Sequence, residues 1–270
     1  MTATMLRSVF GVERPVIAMA HFPPLPGTPL HDEAGGMAAL LDAVARDVAN
    51  LEAAGFDAVL FCNEGDRPYA FEAGPEIAAA MAWIIARAAP RAIPFGVDHL
   101  YDIRTALAVG RATGAAFVRG VFSGAYESDM GIWSPDLPGL LRYRRMIGGG
   151  AMKLFMNVTP EFASTLGRRS VGTLACSAVV NGLADAVLIA GPLAGAEVDP
   201  APLEEARAAL AGRAPVLVTT GVTAETLPRY LPRFDGVIVG TSLKVDGGTW
   251  NPVDPDRARR FMDRARQLRG

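Results

Sequence analysis

The chain has 270 residues, 50% of them hydrophobic and only 20% charged, which excludes a disordered chain and supplies a core without disulfide or metal staples. A formal charge of −2 and a pI near 6.0 give no global attraction for nucleic acid or an anionic membrane, so the expected partner is a small molecule. The two cysteines, Cys62 and Cys176, lack CxxC or Cys/His spacing and read as packed thiols of a reducing compartment.

The N-terminal stretch carries Arg7, Glu13 and Arg14 and has no signal-peptide apolar region. No apolar run approaches the roughly 20 residues that a membrane-spanning helix needs. The expectation is a cytoplasmic protein with no integral membrane segment. From there, short β-rich apolar runs recur: Val16 to His21, Ala58 to Asn63, Ile93 to Asp98, and Phe117 to Phe122. Met152 to Asn157, Ala186 to Ala190, Pro215 to Thr219 and Gly236 to Gly240 complete the series. They are nearly continuous rather than alternating, as strands covered on both faces of a parallel sheet must be.

Amphipathic helical patterns lie between the runs. In the first, Leu40, Leu41, Val44, Val48, Leu51 and Ala54 share one face, with Asp42, Arg46, Asp47 and Glu52 on the other. Gly55, Gly114 and Gly182 stand where left-handed helix ends are expected, and Asp102, Thr223 and Asp254 where N-caps are expected. Eight strand–helix units over residues 1–270 predict an α/β protein, a single (β/α)8 TIM barrel in one domain, with an open doubly wound sheet as the competing arrangement. Two long loops, His21 to Gly36 and Ser123 to Pro138, fall at the face where barrel chemistry is done.

The strand ends supply the candidate residues. Gly221, after the seventh run, and Gly240, Thr241 and Ser242, after the eighth, stand where barrels handling phosphorylated ligands place backbone amides around the phosphate; tight turns alone also explain the glycines. Lys244 just beyond is placed for an anionic ligand. His21 reads as an acid, base or ligand, or as a satisfied structural histidine. Asp98 and His99 are strand neighbours, so only one of them points into the barrel. Asn63 and Asp66, in the acidic Asn63 to Arg67 turn, could orient a hydroxyl, hold a divalent cation through oxygen, or form an exposed turn with a salt bridge to Arg67. No HxH or HExxH spacing supports a metal, and the ligand set is unknown. Arg119 and Lys153 lie within apolar strands and must be paired or used, ion pairing being the expectation for Lys153. Asn157 ends the fifth run. GxGxxG, GxxxxGK[ST] and GxSxG are absent.

The stretches VIAMAHFPPLPGTP (Val16 to Pro29), NEGDRPY (Asn63 to Tyr69) and DGVIVGTSLKVDGGTWNPVDPDRARRFM (Asp235 to Met262) together resemble the BtpA/SgcQ family over nearly the whole chain. The resemblance implies a (β/α)8 barrel with a phosphate-binding end. It also implies a divided functional record: a name taken from photosystem I biogenesis, and many members in bacteria without photosystems that are described as sugar- or nucleoside-related enzymes. This chain departs from the family pattern after strands three to six, at Asp98-His99-Leu100-Tyr101-Asp102, at Arg119-Gly120-Val121, at Asn157 to Glu161 and at Ala190 to Gly195.

The leading expectation is an enzyme, of isomerase, lyase or hydrolase type, acting on a small phosphorylated sugar- or nucleoside-derived metabolite. Gly221, Gly240, Thr241 and Ser242 would hold the phosphate. His21 with Asp98 or His99 would do acid/base work, while Asn63, Asp66 and Arg119 position hydroxyls or developing charge. A non-catalytic assembly protein would instead expose an apolar patch around Phe22, Leu25, Tyr126 and Trp133. A ligand-sensing barrel without catalysis is the third reading. A homo-oligomer is expected in each case.

Overall fold

The eight apolar runs become the parallel staves of a closed barrel in the computed structural model, which describes residues 2–269. In chain order the strands are β1 (Val16–His21), β2 (Ala58–Cys62), β3 (Phe95–Val97), β4 (Phe117–Gly120), β5 (Tyr126–Ser128) and β6 (Gly131–Trp133). They continue as β7 (Lys153–Asn157), β8 (Ala163–Thr165), β9 (Ala186–Ile189), β10 (Val216–Val218) and β11 (Val237–Val239). The barrel runs β1-β11-β10-β9-β7-β4-β3-β2, and closure excludes the open doubly wound sheet.

The helices are α1 (Thr2–Phe10), α2 (Gly36–Ala54), α3 (Pro75–Ala88), α4 (Ile103–Thr113), α5 (Leu137–Met146), α6 (Val171–Val180), α7 (Pro200–Leu210), α8 (Leu227–Tyr230) and α9 (Pro255–Arg269). Their apolar stripes cover the outward strand residues; Leu40, Val44, Val48 and Leu51 of α2 are buried in the same cluster as Ala18, Ala20, Val59 and Phe61. The alternate residues, among them Ile17, Met19, Leu60, Phe155, Leu188 and Ile238, fill the interior. Strands that bury both faces need the unbroken apolar runs seen in the sequence.

The expected punctuation holds at most positions. Gly55 and Gly114 end α2 and α4 in the left-handed region, Asp102 caps α4 through the Thr105 amide, and Asp254 accepts the Asp256 and Arg257 amides at the start of α9. Thr223 accepts the amides of Glu225 and Thr226, closing the turn before α8. Gly182 is the exception: α6 ends on Asn181 in the right-handed region, and the left-handed residue is Leu183.

Two features were not anticipated. Helix α1 closes the N-terminal end of the barrel, setting Phe10 edge-on against Phe117 and Phe155 at 5.5 and 6.0 Å. The Ser123 to Pro138 loop folds into the β5–β6 hairpin, which pairs antiparallel with β8. Its Tyr126 and Trp133 are buried with Tyr101, and Phe22 and Leu25 of the first loop are buried in the main core. The apolar patch expected of an interaction surface is therefore not exposed; those side chains pack their own loops onto the barrel. Among the described residues no helix is long and apolar enough to cross a membrane.

Candidate active site

At the C-terminal mouth of the barrel a cleft of ≈ 270 Å³ has two chemically different walls. One carries His21, Glu64, Arg119 and Glu161; the other carries Gly221, Gly240, Thr241, Ser242 and Arg257.

Arg119 organises the first wall. From β4 it donates through Nε to Asn157 Oδ1 at 3.1 Å and through Nη2 to Glu161 at 2.6 Å, and its Nη1 lies 3.5 Å from Asp98 Oδ2. A single guanidinium thus serves a neighbourhood that also includes Glu64, so three carboxylates share one fixed positive charge. Such a cluster retains protons near neutrality. Burial pushes Glu64 up to about 7, reinforced by the charge of Glu161 and opposed by Arg119. Burial likewise pushes Asp98 up to about 7, with Arg119 opposing and Glu161 adding.

His21 has a fixed tautomer. Nδ1 lies 3.1 Å from the Thr249 carbonyl, an acceptor only, so Nδ1 carries the hydrogen and donates it. The Nε2 lone pair lies on the cleft wall, close enough that a Cβ built on Gly240 would sit 3.3 Å away. Desolvation in the barrel mouth lowers the His21 pKa to about 3, and the nearby Lys244 charge adds to this. The imidazole is therefore a neutral acceptor at physiological pH, and the groups around Arg119 that titrate near neutrality are Glu64, on the cleft wall, and Asp98 behind it.

The second wall is built from turns. Thr220 and Gly221 are both left-handed, at φ 65° and 60°. A Cβ on Gly221 would lie 2.2 Å from the Ala196 carbonyl, so only glycine fits. Ser242 Oγ donates to Val222 O at 2.7 Å, tying the turn after β11 to the turn after β10. Thr241 Oγ1 lies 3.1 Å from Thr249 Oγ1. Among the described residues the amides of Gly221, Val222, Thr241 and Ser242 have no backbone acceptor. Arg257, whose Nε lies 3.7 Å from Asp254 Oδ2, lines the cleft beside them.

Several expected residues lie elsewhere. Asn63 accepts the Leu100 amide at 2.8 Å and turns its Nδ2 toward Asp66 at 3.2 Å and His99 Nε2 at 3.3 Å. Asp66 also accepts the Leu25 amide at 2.8 Å. These three side chains lash together the loops after β1, β2 and β3 and do not line the cleft. Of the neighbouring pair, Asp98 faces Arg119 while His99 is held by Asn63 and Leu100 O. With Asp66 engaged in this way, the acidic turn is not arranged as a cation site, and among the described residues no group of three or more His, Cys, Asp or Glu could hold a metal. Lys244, expected to face an anion, is buried with Nζ 2.9 Å from Asp47. Lys153 pairs with Asp185 at 3.0 Å. Arg257 and Glu161 were not chosen from the sequence, and Glu64 stood among the polar residues of the acidic turn without a role of its own. Glu64 follows an apolar strand and carried a signal, whereas Arg257 sits in a helix pattern indistinguishable from a solvated face.

The BtpA family model matches residues 12–267. The sgc region protein SgcQ of Escherichia coli is 38% identical, over 98% of this chain and 98% of its own length. The photosystem I biogenesis protein BtpA of Synechocystis is 29% identical, over 96% of this chain and 90% of its own. Among solved structures, an archaeal fructose 1,6-bisphosphate aldolase superposes with a TM-score of 0.55 at 18% identity, covering 98% of both chains, a likeness of fold.

Proposed function

The chain belongs to the BtpA family, and from that premise we propose that it is an enzyme acting on a small phosphorylated metabolite by general acid/base chemistry. The observation that carries this reading is the pairing of walls in one cleft: free turn amides with Arg257 on one side, a proton-retaining carboxylate beside Arg119 on the other. The phosphate sits in the cradle of Gly221, Gly240, Thr241 and Ser242, held by backbone N–H groups and Arg257. His21 Nε2 accepts a hydrogen bond from a substrate hydroxyl. Glu64 moves the proton, since a carboxyl titrating near 7 is both available and able to transfer at neutral pH. Arg119 stabilises negative charge developing next to it, and Glu161 and Asn157 hold its guanidinium in place.

This assignment fits an isomerase, lyase or hydrolase step, each of which needs one proton donor or acceptor and an electrostatic anchor. A thermal-shift screen of sugar phosphates and nucleotides, repeated with EDTA, tests it. Stabilisation by at least one phosphate compound is expected, and it should weaken when Arg257 is replaced by Met. Glu64→Gln should keep that binding and lose turnover. No stabilisation by any phosphate compound overturns the reading.

A further inference from the structure

A second chamber of ≈ 170 Å³ opens beside the cleft, and among the described residues His21 alone lines both. Its walls are Phe22, Pro23 and Pro24 from the loop after β1, Arg67 from the loop after β2, and Trp250 and Pro252 from the loop before α9. Two features show the chemistry it suits. The Arg67 guanidinium lies 3.6 Å from the centroid of the Trp250 ring, and Trp250 is nonetheless 55% exposed. Arg67 Nε is buried without a hydrogen-bond partner, and neither Arg67 nor Arg46, the other guanidinium lining the chamber, has an ion-pair partner among the described residues. The lysine and the carboxylate at its floor, Lys244 and Asp47, neutralise each other, which leaves the two arginines as its net charge.

The loop that carries Trp250 is fastened to the His21 imidazole and to the main chain of Glu64. His21 Nδ1 donates to Thr249 O at 3.1 Å, and Trp250 Nε1 donates to Glu64 O at 3.1 Å. A group seated against Trp250 thus lies next to the anchors of His21 and Glu64.

We infer that the chamber is a subsite for a planar ring bearing carbonyl acceptors, joined to the phosphorylated part of the ligand across His21. Flat apolar walls and a stacked indole select a ring, and unpaired guanidinia select acceptors on its edge. A nucleobase-like heterocycle on a sugar phosphate has both, with phosphate in the cradle and ring in the chamber. The inference rests on the phosphate reading for the direction of the ligand, though the chamber can be tested alone.

Isothermal titration of the full chain with uridine 5′-monophosphate, ribose 5-phosphate and uridine separates the two. Stacking of a base on an aromatic side chain corresponds to about tenfold or more in affinity, so the monophosphate should bind at least about tenfold more tightly than ribose 5-phosphate. In Trp250→Ala, and independently in Arg67→Ala, that ratio should collapse to within about twofold. Trp250 is half exposed, so its replacement leaves the core intact. Equal affinity for the two phosphates in the parent protein, or a preference that persists in both variants, overturns the subsite. Binding of uridine that depends on Trp250 without any binding of ribose 5-phosphate keeps the subsite and overturns the cradle. Binding of none of the three overturns both.

Discussion

Arg119 Nη2 meets a Glu161 oxygen at 2.6 Å with both side chains less than a tenth exposed, and the same guanidinium reaches Asp98 at 3.5 Å. Removing one partner of such a buried set leaves uncompensated charge, which typically costs about 3–5 kcal/mol. Arg119→Met should therefore destabilise the fold by about that much at pH 8, and by less at pH 6, where Asp98 and Glu64 take up protons. Urea unfolding at the two pH values checks this, and an equal loss at both would show that the carboxylates are not coupled to Arg119.

Glu64 gives a signed pH dependence. Its folded pKa, about 7, lies above the ordinary 4.5, so the folded state holds the proton more tightly than the unfolded chain. Stability from neutral Glu64 is fully present below about pH 4.5 and declines as pH rises through 7. Glu64→Gln removes the ionisation, so the variant should gain on the parent between pH 5 and 8 by up to about 3 kcal/mol. The same titration predicts a limb near pH 7 in the kcat/KM of the parent, while His21, lowered to about 3, adds none at neutral pH. Parallel stability curves for parent and variant count against it.

Periodicity made the barrel legible, because a strand buried on both faces has to be apolar throughout, as Ala58–Cys62 is. It also located the glycine turns, since Gly221 is a steric requirement written as a residue type. Partner choice was not legible. Lys244 and Arg257 are both cations after the last strand, and only folding shows that Asp47, distant in sequence on α2, takes the first. Asn63 and Asp66 looked like site residues because they lie in the turn that leaves a strand, yet their polar atoms are used to fasten three loops. Helix α1 was missed because Leu6 and Phe10 mean nothing until Phe117 and Phe155 stand opposite them.

Gly221 and Gly240 should respond differently to alanine. At Gly221 a Cβ would overlap the Ala196 carbonyl and φ is positive, so Gly221→Ala should lower Tm and abolish binding of phosphate compounds together. At Gly240 φ is −133°, and the new methyl meets Met19 and His21 Nε2 at 3.2 and 3.3 Å, so the fold should persist while binding beside His21 weakens. Thermal shift with and without ribose 5-phosphate separates the two. A Gly240→Ala protein with parental ligand response would remove Gly240 from the cradle.

Lys244 and Asp47 form the buried pair behind His21, with Nζ and Oδ2 2.9 Å apart and the other Asp47 oxygen holding the Val253 amide at 2.9 Å. Lys244→Met strands a carboxylate, and Asp47→Leu strands both an ammonium and an amide, so each alone should cost about 3–5 kcal/mol. The double variant has lost both charges and leaves only the amide unmet, so its cost should fall well below the sum, with a coupling of about 0.5–3 kcal/mol in denaturant unfolding. The pair also acts at a distance. The Lys244 charge helps hold His21 neutral, so Lys244→Met should raise the His21 pKa above about 3, read from its imidazole resonances by NMR titration. Burial remains the larger cause, and the rise should stay below the ordinary 6.5. A His21 titration unmoved by Lys244→Met would mean that the pair is only a clasp between α2 and the segment after β11, and additive stability losses in the cycle would mean that the two charges are not coupled at all.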